Sequence, residues 1–396
     1  MSRGHRNPAR IRELDGIRGW AALVVLLFHV FWEGLGERFG ALRSVFAAPF
    51  LNGDLAVCIF FVVSGAALSA PFHASMDRKF VVRSAIKRYP RLLVPIAAAT
   101  LLVWLLSRFG LMHGPEAADI LGRRDWLGLN NVATVSSANA LYFTTSGVFS
   151  GLSAQRNILP FLWTMPIEMV GSMLLFLYLA CKDVYGQGSR LLVAIIVMTF
   201  VASPYICCFF IGSLIVDRQS QGAGLRQLLL NRWIAAAALL LCLLYSGLAV
   251  VFRNELLRYP NAVVAAAIVF YCLNIGWLSR CLSASRLSSL LGKISFPLYL
   301  SHYAVLGAVF SPLVVAYQAQ LTLPVAALIG LATVVIAILV AIAFSPVEQA
   351  SHRISKWIGD YVLGEGDGAS RRSSGAQPSL APSAKIETRL PLQAAD

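Results

Sequence analysis

Ionisable side chains interrupt an apolar segment near the N-terminus, LDGIRGWAALVVLLFHV, which runs from Leu14 to Val30. Arg18 and His29 are eleven residues apart, so on an α-helix both project from one face, with a rise of about 16 Å between them. That rise would carry His29 close to the middle of a hydrocarbon core about 30 Å thick. Glu33 follows four residues later, a spacing that lets its carboxylate orient the imidazole. An ionisable group at membrane depth is costly and usually marks a functional site, so His29 is a functional candidate. The alternative is a core histidine bonded to a neighbouring helix.

A basic cluster introduces a later apolar run, in the stretch RSAIKRYPRLLVP. Arg88 and Arg91 share a helix face, and Lys87 lies beside them. The planar guanidinium fork binds phosphate through two hydrogen bonds, so the cluster suits a phosphorylated cofactor. The alternative is the ordinary excess of Lys and Arg on the cytoplasmic side of a membrane protein.

Three further stretches place polar groups inside apolar segments. Glu168 follows Trp163 in LWTMPIEMVGS, where a buried carboxylate either takes part in proton transfer near His29 or pairs with an arginine. The stretch ISFPLYLSHYAV supplies Tyr299 and a second membrane histidine, His302. In FFVVSG the small residues at Ser64 and beyond favour close helix packing over a nucleophilic serine, because no Gly-x-Ser-x-Gly motif surrounds them.

The composition predicts an all-α, polytopic integral membrane protein. Of the 396 residues, 58% are hydrophobic and only 13% are charged, whereas a soluble domain carries about 25% charged residues. Apolar runs long enough to cross a bilayer as helices predict about ten crossings. These runs cover residues 17–35, 55–71, 92–107, 160–181, 190–203, 204–216, 232–252, 261–279, 294–316 and 323–346. The stretch 191–216 is open to a second interpretation as one long helix kinked at Pro204.

The charge distribution predicts the orientation. Lys and Arg concentrate in alternate connections, which places both termini in the cytoplasm. The net charge of +14 is therefore interpreted as a record of orientation and not as a nucleic-acid interface. Residues 1–16 form a basic cytoplasmic N-terminus, 108–159 an extracytoplasmic loop, and 364–396 a disordered cytoplasmic tail rich in Gly, Ser, Ala and Pro. The seven cysteines lack metal-ligand spacing, so we expect no metal site.

Taken in order, these motifs resemble acyltransferase family 3, a family of integral membrane O-acyltransferases with ten helices. LDGIRGWAALVVLLFH resembles the family's opening LDGxRGxAxxxVxxxH. It is followed by FFVVSG, by the R-x-x-R of Arg88 and Arg91, by LWTMPIE, by SFPLYLSH and by SPVEQASHR. The resemblance spans residues 12 to 357 and implies a membrane acyltransferase domain over residues 17–357.

The resemblance implies an enzyme of the bacterial cytoplasmic (inner) membrane that crosses it several times. It would move an acyl group, in the first place acetyl, from acetyl-CoA or another acyl-CoA. The acyl-CoA is a co-substrate and no cofactor is bound permanently. The acceptor would be a hydroxyl of a cell-surface or exported carbohydrate, such as lipopolysaccharide or exopolysaccharide.

The resemblance also assigns roles to residues. His29 would be the catalytic histidine, with Arg18 as its paired arginine and Glu168 assisting in the active-site lining. His29 would act either as a general base on the hydroxyl or as the acceptor of the acyl group itself. The remaining candidates bind the donor (Arg88, Arg91, Lys87) or the carbohydrate (Trp163, Tyr299, His302). A rival from another class is a carrier or flippase for a glycan or glycolipid that makes no bond, and a third possibility is an acyl-sensing or scaffolding protein without turnover.

Overall fold

The computed structural model describes residues 11–123, 126–127, 135–151, 158–182, 188–219, 224–252 and 258–364. These residues form helices and connections, and no strand occurs among them. The all-α prediction is therefore confirmed. Most of the predicted basic N-terminus (1–10 of 1–16) and of the predicted C-terminal tail (365–396 of 364–396) lies outside the described residues.

The α-helices are α1 Arg12–Leu27, α2 Gly53–Ser75, α3 Arg78–Arg108, α4 Gly114–Leu121, α5 Ser137–Tyr142, α6 Val148–Ser150, α7 Met165–Cys181, α8 Gly188–Ala202, α9 Pro204–Gln219, α10 Gly224–Leu229, α11 Arg232–Phe252, α12 Arg258–Asn274, α13 Gly276–Ala284, α14 Arg286–Val305, α15 Ser311–Ala316 and α16 Leu323–Val362. Short 3₁₀ or π segments extend several of them.

Seven helical segments of the described chain are long and apolar enough to cross a membrane. They are Arg12–Leu35, Ala48–Ser75, Arg78–Arg108, Pro160–Cys181, Arg232–Phe252, Arg286–Ala316 and Leu323–Val362. An eighth would be α12 and α13 together, which are bent by 86° at their junction. The prediction of a multi-pass membrane protein is confirmed to this extent. The count of ten and the cytoplasmic termini stay predictions.

The stretch 191–216 contains two helices and not one. α8 ends at Ala202, and Pro204 begins α9, because proline lacks the N–H that a first-turn position leaves unused anyway. Leu192 of α8 and Phe210 of α9 lie in one buried cluster, so the two helices belong to a single packed unit.

α1 and α14 approach each other through glycine. A side chain at Gly19 would collide with the backbone of Leu291 and Gly292, and one at Gly292 would lie 2.7 Å from the Asp15 carbonyl oxygen. Small residues at such contacts let helix backbones come close in a membrane. The contact holds the helix of Arg18 against the helix that carries His302.

The second glycine contact joins α2 to α9. A side chain at Gly65 would collide with the carbonyl of Phe209, and one at Gly212 would collide with the carbonyl of Val62. The FFVVSG motif therefore provides close packing, as predicted, but through Gly65. Ser64 beside it has a different contact, described below.

We expect Gly65→Val and Gly212→Val each to lower the free energy of unfolding by about 1–3 kcal/mol or more, because neither backbone can yield space to a side chain. Thermal unfolding of the detergent-solubilised protein measures the loss. Gly276→Val is the matched control, since nothing lies within 4 Å of a Cβ built there. Equal stability of Gly65→Val and the control would contradict the packing.

Two histidine-bearing helices change to π-helix beside their histidines. α1 continues as π-helix over Phe28–Leu35, a segment that contains His29 and Glu33. α14 ends at Val305, and π-helix follows over Leu306–Phe310, four residues beyond His302. π-helical turns are rare and occur frequently at functional sites. The local backbone thus singles out the same region as the sequence motifs.

Candidate active site

His29 is held by a series of buried charged side chains. Its Nδ1 lies 3.0 Å from Glu33 Oε2, and Glu33 Oε1 accepts a hydrogen bond of 2.8 Å from the guanidinium of Arg123. All three side chains are largely or fully buried. A carboxylate at Nδ1 fixes that nitrogen as the N–H donor, so Nε2 keeps its lone pair. Arg123 compensates the charge of Glu33, which would otherwise be buried without a counter-ion.

Glu33 is the predicted partner of His29, whereas Arg123 was not predicted from the sequence. Arg123 belongs to the stretch 108–159, which lacks the periodicity of a long helix. The sequence offered only an indirect indication of Arg123, because a carboxylate at membrane depth usually pairs with a cation. Part of the predicted loop is ordered, because α4, α5 and α6 lie within it.

Aromatic rings enclose His29 on several sides. The phenyl ring of Phe161 stacks on the imidazole with centroids 3.8 Å apart, and the Trp126 ring meets it edge-on at 5.5 Å. The imidazole of His302 lies 5.5 Å from that of His29, with an angle of 18° between the ring planes. Phe161 is also parallel to His302, at 4.8 Å. The phenyl ring therefore covers the histidine pair, His29 and His302, which brings the two predicted membrane histidines together.

A barrier layer consists of Phe161, Thr164 and Tyr299. The Tyr299 hydroxyl donates to the Phe161 carbonyl oxygen and lies 2.6 Å from the Thr164 hydroxyl. These bonds tie α14 to the 3₁₀ segment Pro160–Thr164 that precedes α7. The layer fixes the position of the ring that covers the histidine pair.

An inner cavity of about 110 Å³ ends at this layer. Charged or polar side chains on its wall include Arg18, Arg88, Arg91, Glu168 and Glu348. Its apolar wall includes Val57, Phe60, Phe61, Leu92, Met165 and Phe296. Thr164 and Tyr299 line it as well, whereas His29 does not, so the barrier layer stands between the cavity and the histidine pair.

An outer cavity of about 1080 Å³ shares wall residues with the inner one. Arg18, Arg88, Arg91, Ser64 and Glu348 line both. The outer cavity adds Lys293, His73 and His352 to the wall. The two cavities form one basic recess that narrows toward the barrier layer.

Glu168 contacts an arginine and a serine. Its Oε1 accepts from the guanidinium of Arg88 and from the Ser64 hydroxyl at 2.8 Å. Arg88 Nε donates to the Ser172 hydroxyl at 3.0 Å. Glu168 is therefore the partner of an arginine, which is the second of the two alternatives that the sequence left open. Ser64 contributes a hydrogen bond to this network, which its sequence context did not indicate.

The remaining predicted residues divide into two groups. Arg18 donates to Ser295 Oγ at 2.9 Å and pairs with Asp15, and it lines both cavities together with Arg91. Lys87 instead pairs with Asp360 at 3.7 Å and lines neither cavity. Trp163 is partly exposed and packs against Tyr205, away from both cavity walls.

This arrangement supports group transfer. It offers a histidine with one nitrogen held by a carboxylate, and a recess whose cationic wall suits a phosphorylated molecule. Among the described residues, no group of three or more His, Cys, Asp or Glu side chains is placed to hold a metal ion.

A family model described as an acyltransferase domain matches residues 11–342, which is most of the chain and includes every predicted site residue. The chain belongs to this acyltransferase family. The resemblance inferred from the motifs is thereby confirmed. The matched region carries the histidine pair, the barrier layer and Arg18, Arg88 and Arg91.

A curated relative is the O-acetyltransferase PaAT-1 from Phomopsis amygdali, which is 28% identical over 241 residues. The match covers 52% of this chain and 48% of the relative, so it spans about half the length of that protein. No solved structure matches this member of the acyltransferase family.

Proposed function

We propose that this protein is a membrane O-acyltransferase that moves an acetyl group, or another acyl group, from acyl-CoA to a carbohydrate hydroxyl. The observation that carries the proposal is the buried Glu33–His29 contact behind a recess lined by Arg18 and Arg91. Family membership and the O-acetyltransferase relative support acyl transfer. The acceptor is proposed to be a cell-surface or exported glycan.

The outer cavity is proposed as the donor site. Arg18 and Arg91 line both cavities and present guanidinium groups to the phosphates of CoA, with Lys293 farther out. Arg88 reaches the same wall, but its guanidinium already binds Glu168 and Ser172. We therefore propose that Arg88 mainly stabilises the cavity wall, and that Arg18 and Arg91 bind the phosphates. The inner cavity, with its apolar wall, takes the pantetheine arm and the acyl group.

His29 performs the chemistry through Nε2. As a general base, Nε2 takes the proton of the acceptor hydroxyl while the oxygen forms a bond to the thioester carbon and the carbon–sulfur bond breaks. In the covalent alternative, Nε2 attacks the thioester carbon and CoA leaves as the thiolate; the hydroxyl oxygen then displaces the imidazole, and its proton passes to the freed Nε2 and on to the thiolate. In both routes Glu33 holds the Nδ1 proton and stabilises the positive imidazole. The barrier layer must open once in each cycle, because it separates His29 from the inner cavity.

The protein is proposed to work in the bacterial cytoplasmic membrane, with the recess open to the cytoplasm. The basic connections between helices support this orientation. Acyl-CoA is then available on the recess side, and the acceptor reaches His29 from the side of the stretch 108–159, which supplies Arg123 and Trp126.

The test uses membranes that contain the protein, radiolabelled acetyl-CoA and the glycans of the host cell. We expect label in carbohydrate and release of free CoA only when glycan is supplied. Membranes without the protein provide the background. Binding or movement of glycan with no release of CoA, for acetyl-CoA and for longer acyl-CoA donors, would contradict the proposal and favour a carrier.

Removal of Arg123 tests the series of buried charged side chains behind His29. We expect Arg123→Ala to lower transfer by about 10- to 100-fold, the range seen when a group that orients a metal-binding histidine is lost. Arg123→Lys, which keeps the charge, should recover part of the activity. Transfer of label from acetyl-CoA measures both variants.

Arg38→Ala is the matched control for Arg123. Arg38 is an exposed arginine that binds the Ile120 carbonyl oxygen of the same stretch at 2.9 Å. It has no contact with Glu33 or His29 among the described hydrogen bonds. Equal activity of Arg123→Ala and Arg38→Ala would show that Glu33 orients His29 without its ion pair to Arg123.

A further inference from the structure

The His302 imidazole has a defined protonation pattern. Its Nδ1 lies 2.8 Å from the Tyr299 carbonyl oxygen and 3.1 Å from the Leu298 carbonyl oxygen. Carbonyl oxygens only accept hydrogen bonds, so Nδ1 carries the proton in the neutral ring. The opposite nitrogen, Nε2, is then a pure acceptor that faces away from the carbonyls of α14.

Nε2 of His302 is buried and has no hydrogen-bond partner within the described part of the chain. The whole residue is 1% exposed. A buried acceptor without a partner costs about 1–3 kcal/mol, so proteins rarely keep one without a use.

The position of this acceptor links it to the reacting histidine. The two imidazoles are near-parallel with centroids 5.5 Å apart, and Phe161 covers both. Two oxygens on adjacent carbons of a sugar are separated by about the length of one hydrogen bond. A vicinal diol is therefore small enough to present one oxygen to each ring.

We propose that Nε2 of His302 accepts a hydrogen bond from the hydroxyl adjacent to the one that is acylated. This inference rests on the proposed function, and it narrows the acceptor to a carbohydrate that carries a vicinal diol. One hydroxyl reacts through His29. Its neighbour donates a hydrogen bond to Nε2 of His302 and keeps its proton. His302 is then the residue that sets regiospecificity. An acceptor without the second hydroxyl leaves Nε2 unpaired and is rejected, as happens at sites built to bind a substrate hydroxyl.

The experiment compares wild type with His302→Gln and His302→Phe. Glutamine offers a carbonyl oxygen as an acceptor, whereas phenylalanine keeps the ring and has no polar atom. We expect His302→Phe to lower transfer of label from acetyl-CoA into host glycans by at least about 100-fold, while His302→Gln stays within about tenfold of wild type. Binding of radiolabelled acetyl-CoA should be equal in all three proteins, which also reports on folding.

A second arm tests the diol directly. Host glycans are oxidised with periodate, which cleaves vicinal diols, and then reduced with borohydride so that hydroxyls remain but adjacent pairs do not. We expect wild type to label untreated glycans and not the treated ones.

Three outcomes would overturn the inference: wild-type transfer by His302→Phe, a His302→Gln variant no better than His302→Phe, or full labelling of treated glycans. Absence of label with wild type on untreated glycans would instead refute the proposed function, so the two failures are distinguishable.

Discussion

His29→Ala is expected to lose acyl transfer by a factor of about 10² to 10⁴ or more, because the variant lacks the nitrogen that takes the proton or the acyl group. The surrounding structure should persist. Glu33 keeps its ion pair with Arg123, so no buried charge is left alone. The recess contains no part of His29 in its walls, so donor binding should remain at the wild-type level.

Label transfer from acetyl-CoA measures the loss, and acetyl-CoA binding checks the recess. His113→Ala serves as the matched control, since it removes a histidine that lies at the start of α4 and outside both cavity walls. Activity of His29→Ala equal to that of His113→Ala would refute the assignment of His29. Loss of donor binding along with transfer would mean that the histidine supports the fold and not the reaction.

Glu168→Ala is expected to lower the free energy of unfolding by about 3–5 kcal/mol, the usual cost of leaving one member of a buried ion pair alone. Arg88 is buried and has Glu168 and Ser172 as partners, so the variant leaves a buried guanidinium without its carboxylate. The double variant Arg88→Met, Glu168→Leu should recover much of the loss, because both charges are then removed. Unfolding in detergent by heat or denaturant measures all three proteins.

The same set of variants separates structure from catalysis at Glu168. A double variant that is stable but inactive would show that the pair serves the reaction as well as the wall. A Glu168→Ala variant with wild-type stability and no transfer would contradict the structural role and restore Glu168 as a proton-transfer group. Glu168→Gln should fall between these extremes, because its amide oxygen still accepts from Arg88 and Ser64.

Local features of the site were predictable, because helical spacing determines them. His29 and Glu33 are four residues apart on one helix, and their contact follows from that spacing. The close packing at FFVVSG followed from the size of the residues, although the sequence could not identify Phe209 as the neighbour. The pairing of Arg88 with Glu168 was one of two alternatives, and only the packing of α3 against α7 selects it.

Long-range features were not predictable from the pattern. Arg123 is 90 residues from Glu33, in a stretch where no periodicity assigns a face. Phe161 looked like one more apolar residue, and its position over the histidine pair depends on the bond from Tyr299. The number of crossings stays a prediction, since the described residues contain seven apolar segments long enough to span a membrane, or eight with the bent pair. The 86° bend between α12 and α13 falls inside 261–279, a run that hydropathy alone presents as one span.

The barrier layer of Phe161, Thr164 and Tyr299 has an electrical consequence. A protein that brings imidazoles, carboxylates and a wet basic recess into the hydrocarbon region risks conducting protons down the membrane potential, which is worth about 2.3 kcal/mol per charge for each 100 mV. Here the hydroxyl of Tyr299 is bonded to a carbonyl and to Thr164, and the phenyl ring of Phe161 covers the nitrogens beyond. We expect the layer to insulate the histidine pair from the recess between turnovers. In an energised membrane, the proposed setting of this protein, the closed layer should keep it from carrying a proton current.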